Sequence, residues 1–198
     1  AGKSDGVMRI VMNRPDKKNA LTGPMYAALT AALKAADSSD AIRAIVLEGA
    51  GGAFTAGNDL ADFLAAATRG EPTRAFPFIE QIALSETPIV AAVDGVAVGV
   101  GTARLFPCGL GYATGNAKFR MPFVDLGLCP EGGSSLVVPQ RAGQLLANEL
   151  LMLGDAFTPA TALRAGIVNA VVPLAELFAT AEGTARRLAA KPPTALAA

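Results

Sequence analysis

The chain contains no histidine. That absence excludes Ser-His-Asp and Cys-His catalysis and leaves any acid–base chemistry to a carboxylate, Lys, Tyr or Cys. Charge is scarce too. Asp, Glu, Lys and Arg make up 17% of residues, against roughly 25% in an average globular domain. A surface so poor in charge points to burial against other subunits. Lys plus Arg and Asp plus Glu number 17 each, so the formal net charge is zero. The basic stripe of a nucleic-acid binder is therefore missing. The two cysteines, Cys108 and Cys129, are too few for a disulfide framework and fit a reducing, cytoplasmic setting. No run of about 18 uninterrupted apolar residues suggests a membrane-spanning helix. No basic segment followed by an apolar one opens the sequence as a signal peptide would. With no His/Cys cluster, no metal site is expected.

What is present is apolar: 52% of 198 residues are hydrophobic, enough for one domain with a full core. Short apolar runs at Val7–Met12, Ile42–Leu47, Pro88–Val93, Gly109–Ala117 (weaker) and Ile167–Val172 read as strands. Helical spacing marks 25–36, with Thr22 as N-cap and Pro24 in the first turn, and also 59–67, 78–84, 144–153, 159–165 and 174–190. Thr68–Pro77 reads as a mobile loop. Apolar strands alternating with helices predict an α/β fold with a mostly parallel sheet covered on both faces.

Three segments carry candidate chemistry. In Phe54-Thr-Ala-Gly-Asn-Asp-Leu60 a small-residue turn leads straight into a helix start. The N–H of Asn58 is the natural donor to a negative oxygen there, and the plain alternative is a glycine turn with Asp59 as N-cap. In Ala92-Val-Asp-Gly-Val-Ala-Val-Gly-Val-Gly-Thr102 the glycine spacing is not that of a dinucleotide fingerprint. It reads as a second anion-binding turn with the Val100 N–H as donor, or as close helix–strand packing through glycine. In Phe119–Ser135, Glu131 follows Leu126, Leu128, Cys129 and Pro130 and precedes Gly132 and Gly133. A carboxylate in such company is desolvated, its pKa rises, and it can move protons near neutral pH. Two N–H donors converging on one carbonyl would form an oxyanion hole, and a carboxylate beside it could take an α-proton.

In this order the motifs resemble the crotonase, or enoyl-CoA hydratase/isomerase, superfamily. The resemblance begins at Asn13-Arg-Pro-Asp-Lys-Lys-Asn-Ala-Leu21 and runs through the three segments to Leu163-Arg-Ala-Gly-Ile-Val-Asn169. It implies a spiral of ββα turns with a C-terminal helical trimerisation region, the last helix of which is expected to be missing from this chain. On that reading residues 1–140 form the core with the acyl-CoA site and 141–198 the oligomerisation region. The partners implied are an acyl-CoA thioester and further copies of the chain, as a homotrimer or dimer of trimers, with no nucleic acid or membrane. Coenzyme A belongs to the substrate and no separate cofactor is implied.

Carried over by position, Asn58 and Val100 supply the oxyanion donors. Ala56, Gly57, Asp59, Leu60, Gly99, Pro130, Ala20 and Lys18 contact the substrate, Lys18 by steering the coenzyme A phosphates. The family's hydratases use two glutamates, and their positions here hold Ala103 and Phe123. Glu131 falls where the Δ3,Δ2-enoyl-CoA isomerases carry their single glutamate. The resemblance thus implies isomerisation of a 3-enoyl-CoA to the trans-2-enoyl-CoA. Hydration, another reaction of the family, and acyl-CoA binding without turnover are the alternatives. Among the remaining polar residues, Asp125 is expected to face outward and Asn13 and Asn19 to fix the first turn. Arg104 is read as structural, either an intersubunit ion-pair partner or a simple substitution, and Tyr26 receives no role.

Overall fold

The computed structural model describes residues 2–70 and 74–196. Strand β1 (Gly2–Ser4) turns back antiparallel onto β2 (Val7–Met12). From β2 onward the sheet is parallel, through β3 (Ala44–Gly49), β4 (Ile89–Val93), β6 (Leu110–Thr114) and β8 (Ala170–Val172), in the order β1-β2-β3-β4-β6-β8. A second sheet pairs β5 (Val96–Val98) with β7 (Lys118–Arg120), also parallel. Helices α1 (Gly23–Asp37), α2 (Leu60–Thr68), α3 (Ala75–Leu84), α4 (Val100–Ala103), α5 (Ser134–Ala142), α6 (Gln144–Asn148), α7 (Pro159–Arg164), α8 (Leu174–Ala189) and α9 (Pro193–Leu196) fill the connections.

The two faces of the sheet are covered differently, for a reason visible in the strand pattern. Alternate residues point to opposite faces. Met8, Ile10, Ile45, Leu47, Ala91 and Val93 face the larger core with α1 and α3, where Leu29, Leu33, Phe78 and Ile82 meet them. Val7, Ala44, Val46, Val90 and Ala92 face the other way, onto Leu177, Ala181 and Ala185. Those three lie four residues apart along α8, so they form one stripe down the helix. Residues beyond 140 thus supply both a strand of the main sheet and the helix that closes its second face.

Several boundaries depart from the sequence expectation. The expected loop Thr68–Pro77 is shorter, because α2 runs through Thr68 and α3 begins at Ala75; Glu71, Pro72 and Thr73 lie outside the described residues. Pro77 falls in the first turn of α3, where a helix needs no N–H donor from it. Of Ile167–Val172 only 170–172 is strand; Ile167 and Val168 are buried in the turn before it. The helix read through 144–153 changes to a π-helical turn at Glu149–Leu153 and ends on left-handed Gly154.

Gly183 sits within α8 with nothing within 4 Å of where a Cβ would stand. Gly183→Ala should raise stability by about 0.5–1 kcal/mol through the lost freedom of the unfolded chain. A denaturant midpoint that fails to rise would count against an open helical site.

Candidate active site

The site is assembled on the segment 53–59, which is bonded on both sides. On one side Ala56 N donates to Lys18 O (2.8 Å), Leu21 N to Gly57 O (2.7 Å) and Asp59 N to Leu21 O (2.9 Å). On the other, Thr55 N donates to Val96 O (2.9 Å) and receives Val98 N on its own oxygen (3.0 Å). Asn19, fully buried, locks the preceding turn. Its Nδ2 donates to Ala50 O (2.9 Å) and Ala53 O (2.7 Å), and its Oδ1 accepts from Arg14 N (2.7 Å). Asn13 is exposed.

Neither candidate donor is used up by this network. Leu21 bonds the residues on either side of Asn58, so the Asn58 N–H is not part of that ladder. Val100 is the first residue of α4, and a helix leaves its first N–H groups without an intrahelical acceptor. Gly57 brings the two turns into contact: its φ is +87°, and a Cβ there would lie 2.7 Å from Val98 O. Asp59 also caps α2, accepting Asp62 N on Oδ1 at 3.1 Å. The anion-binding and capping readings of this turn are therefore compatible.

A cavity of about 980 Å³ opens over these turns. Ala56, Gly57, Asn58, Asp59, Leu60, Gly99, Val100 and Glu131 all line it; Lys18, Ala20 and Pro130 do not. Lys18 instead offers its backbone oxygen to Ala56, one layer behind. Glu131 is held by its own carbonyl, which accepts Ser134 N (3.2 Å) and Ser134 Oγ (2.6 Å) at the start of α5. Its half-buried side chain faces the cavity, and burial pushes the carboxyl above its usual range while the Arg104 charge pulls it back.

Four carboxyls line the cavity, and three are engaged. Asp59 accepts Arg14 Nη1 at 2.6 Å, Asp62 accepts Gly23 N at 2.7 Å, and Asp125 pairs with Arg120 at 2.8 Å. The Arg14 hydrogen bond holds Asp59 below the usual carboxylate range. A depressed folded pKa stabilises above the unfolded value and is lost as pH falls through the folded one. Arg14→Ala should therefore lose on the order of 1 kcal/mol at neutral pH. Its deficit from wild type, followed by denaturant melts from neutral pH into the acid range, should close as Asp59 is protonated.

Two residues absent from the expected site bear on it, Tyr26 from its lining and Arg104 from behind it. Tyr26, from the buried face of α1, lines the cavity and donates its hydroxyl to Asn58 Oδ1. Burial, then the nearby Glu131, raises its pKa above the usual tyrosine range, so it stays a neutral donor. Arg104 is 3% exposed and faces Glu131 within the chain. Both left signals in the sequence: a phenol within an apolar helical stripe, which seeks a partner when buried, and a lone charge in an apolar run.

Residues 2–198 match the family described as Enoyl-CoA hydratase/isomerase. The chain belongs to that family, part of the crotonase superfamily. It is 34% identical over 194 residues to 1,2-epoxyphenylacetyl-CoA isomerase of Escherichia coli (strain K12), covering 94% of this chain and 74% of that one. It is 36% identical over 176 residues to enoyl-CoA delta isomerase 2 of Homo sapiens, covering 85% of this chain but 44% of that one. The crystal structure of an enoyl-CoA hydratase/isomerase from Pseudoalteromonas atlantica T6c superimposes with a TM-score of 0.94 at 39% identity, over 99% of this chain and 78% of that one. The family's matched relatives are named for acyl-CoA substrates. Among the described residues no helix is long and apolar enough to cross a membrane.

Proposed function

We propose that this protein isomerises 3-enoyl-CoA esters to trans-2-enoyl-CoA esters, with Glu131 as the single base. The observation that carries this reading is the state of the cavity carboxyls. Asp59, Asp62 and Asp125 are each engaged by a donor, whereas the carboxylate oxygens of Glu131 accept no hydrogen bond among the described residues. A free, half-desolvated carboxylate suits proton abstraction. It takes the proton from C2 of the thioester, the electron pair moves onto the carbonyl oxygen, and the N–H groups of Asn58 and Val100 stabilise that oxyanion. Returning the proton at C4 moves the double bond from C3–C4 to C2–C3. Water addition asks for a second group to hold the nucleophile. The positions at which the resemblance would place it are Ala103 and Phe123, both buried and without an ionisable group.

The same reading carries self-association as a homotrimer or dimer of trimers. Leu145 (86% exposed), Met152 and Leu153 leave an apolar strip around α6 and the π-turn that supports it, and sedimentation would measure it. The reaction is tested by giving the protein 3-hexenoyl-CoA and, separately, 2-hexenoyl-CoA, and separating the products. Conversion of the 3-enoyl ester to the trans-2-enoyl ester is the expected result. Dominant hydration of the 2-enoyl ester would assign another reaction of the family, and ester binding without turnover would assign a non-catalytic role.

A further inference from the structure

Arg104 is the group that the chemistry above leaves without a task. It follows α4 directly, is 3% exposed, and its Nε and Nη2 have no hydrogen-bond partner among the described residues. A guanidinium stays charged under ordinary conditions, and a charge withdrawn from water requires an opposite charge nearby.

The position of the guanidinium is specific. A Cβ placed on Gly132 would lie 1.3 Å from Arg104 Nη2 and 2.5 Å from Cζ. The guanidinium therefore occupies the space where any other side chain at 132 would begin, one residue along the chain from Glu131. The titratable groups that face it are Glu131, Tyr26 and Cys108. Cys108 is a buried thiol pushed up to about 12 by burial, and it donates to Arg104 O at 3.2 Å, so it is neutral. Tyr26 is neutral as well and is bonded to Asn58. Arg141, which faces Cys108, is directed to Phe106 O at 2.9 Å. Among the described residues, Glu131 is left as the one anion facing Arg104.

We propose that Arg104 is a positioning residue for Glu131: its buried guanidinium, seated against Gly132, orients the carboxylate over the cavity by charge attraction, without a direct hydrogen bond. The inference rests on the reading of Glu131 as the base. Burial raises the Glu131 pKa and the Arg104 charge opposes that rise, so the fixed positive charge favours the basic form while leaving the cavity face of the carboxylate free.

The test compares wild type with Arg104→Met, which keeps bulk without charge, and Arg104→Lys, which keeps charge. Removing one member of a buried pair destabilises when the other stays buried, but Glu131 is only half-buried and lines the cavity, so Arg104→Met is expected to fold. Should Met fail to fold, Arg104→Gln serves the same comparison. Two readouts are taken: the acidic limb of kcat/KM for 3-hexenoyl-CoA, and the titration of the Glu131 carboxyl by carbon-detected NMR without substrate, assigned with Glu131→Gln. Arg104→Met should move both upward by about one pH unit or more and lower kcat at neutral pH more than it raises KM; Lys should restore most of the shift. Identical Glu131 titrations in wild type and Arg104→Met would overturn the proposal, even in a protein that isomerises normally. If wild type fails to turn over 3-hexenoyl-CoA, the isomerase reading falls, and the NMR titration still decides the role of Arg104.

Discussion

Glu131→Gln should lower kcat for 3-hexenoyl-CoA by at least about 10²-fold, the range for removal of an acid–base group, while KM changes little. The amide has the shape of the carboxyl and fits the same half-buried position, so ground-state binding should persist. It cannot accept the C2 proton, so the loss falls on the chemical step. The pH dependence gives a second, independent signature. Burial raises the Glu131 pKa above its ordinary 4.5, with Arg104 opposing. A base must be deprotonated to act, so wild-type kcat/KM should rise with pH through an apparent pKa above that value. The residual activity of the variant should lack that limb. A variant within tenfold of wild type would mean that Glu131 is structural.

Gly57→Ala should be nearly as damaging, although it removes no functional group. The residue has φ +87°, a conformation that costs a residue with a Cβ about 1–2 kcal/mol. The added methyl would also stand 2.7 Å from Val98 O. That oxygen belongs to backbone and cannot rotate away, and Gly57 is itself tied to Leu21 by a 2.7 Å hydrogen bond. The strain must separate the turn that carries Asn58 from the one that carries Val100. Misplacing one donor of an oxyanion pair costs about 10²–10³ in kcat, and the strain should also lower stability by about 2–4 kcal/mol. Gly115→Ala is the control, since it has open space around the new methyl and no positive φ. It should leave the denaturant midpoint and kcat/KM near wild type. Full activity in Gly57→Ala would mean that the two turns do not act on one atom.

Much of the scaffold was legible. β2 spans the apolar run Val7–Met12, and α8 ends within a residue of its apolar stripe. Long periodic segments announce themselves because burial of one face repeats along the chain. β5 and β7 escaped notice because each has three residues, too few for a period to show. The run at 167–172 shows the opposite error. Its apolar residues are buried, but Asn169 turns the chain, its N donating to Gly111 O at 2.7 Å and its Oδ1 accepting from Gly111 N at 2.8 Å. Hydrophobicity reports burial there rather than strand.

By itself the sequence determined the parallel α/β layering, through strands apolar on both faces, and it limited acid–base chemistry by having no histidine. It also singled out Glu131 by its apolar neighbours. Tertiary structure alone decided which residues meet. Thr55 pairs with Ala97, and β5 with β7, so the turns that carry Asn58 and Val100 touch. Arg104 comes to rest against Gly132, and the other cavity carboxylates find donors from distant segments. Periodicity records how each segment sits relative to water; these contacts depend on the order in which the strands join, which no local pattern contains.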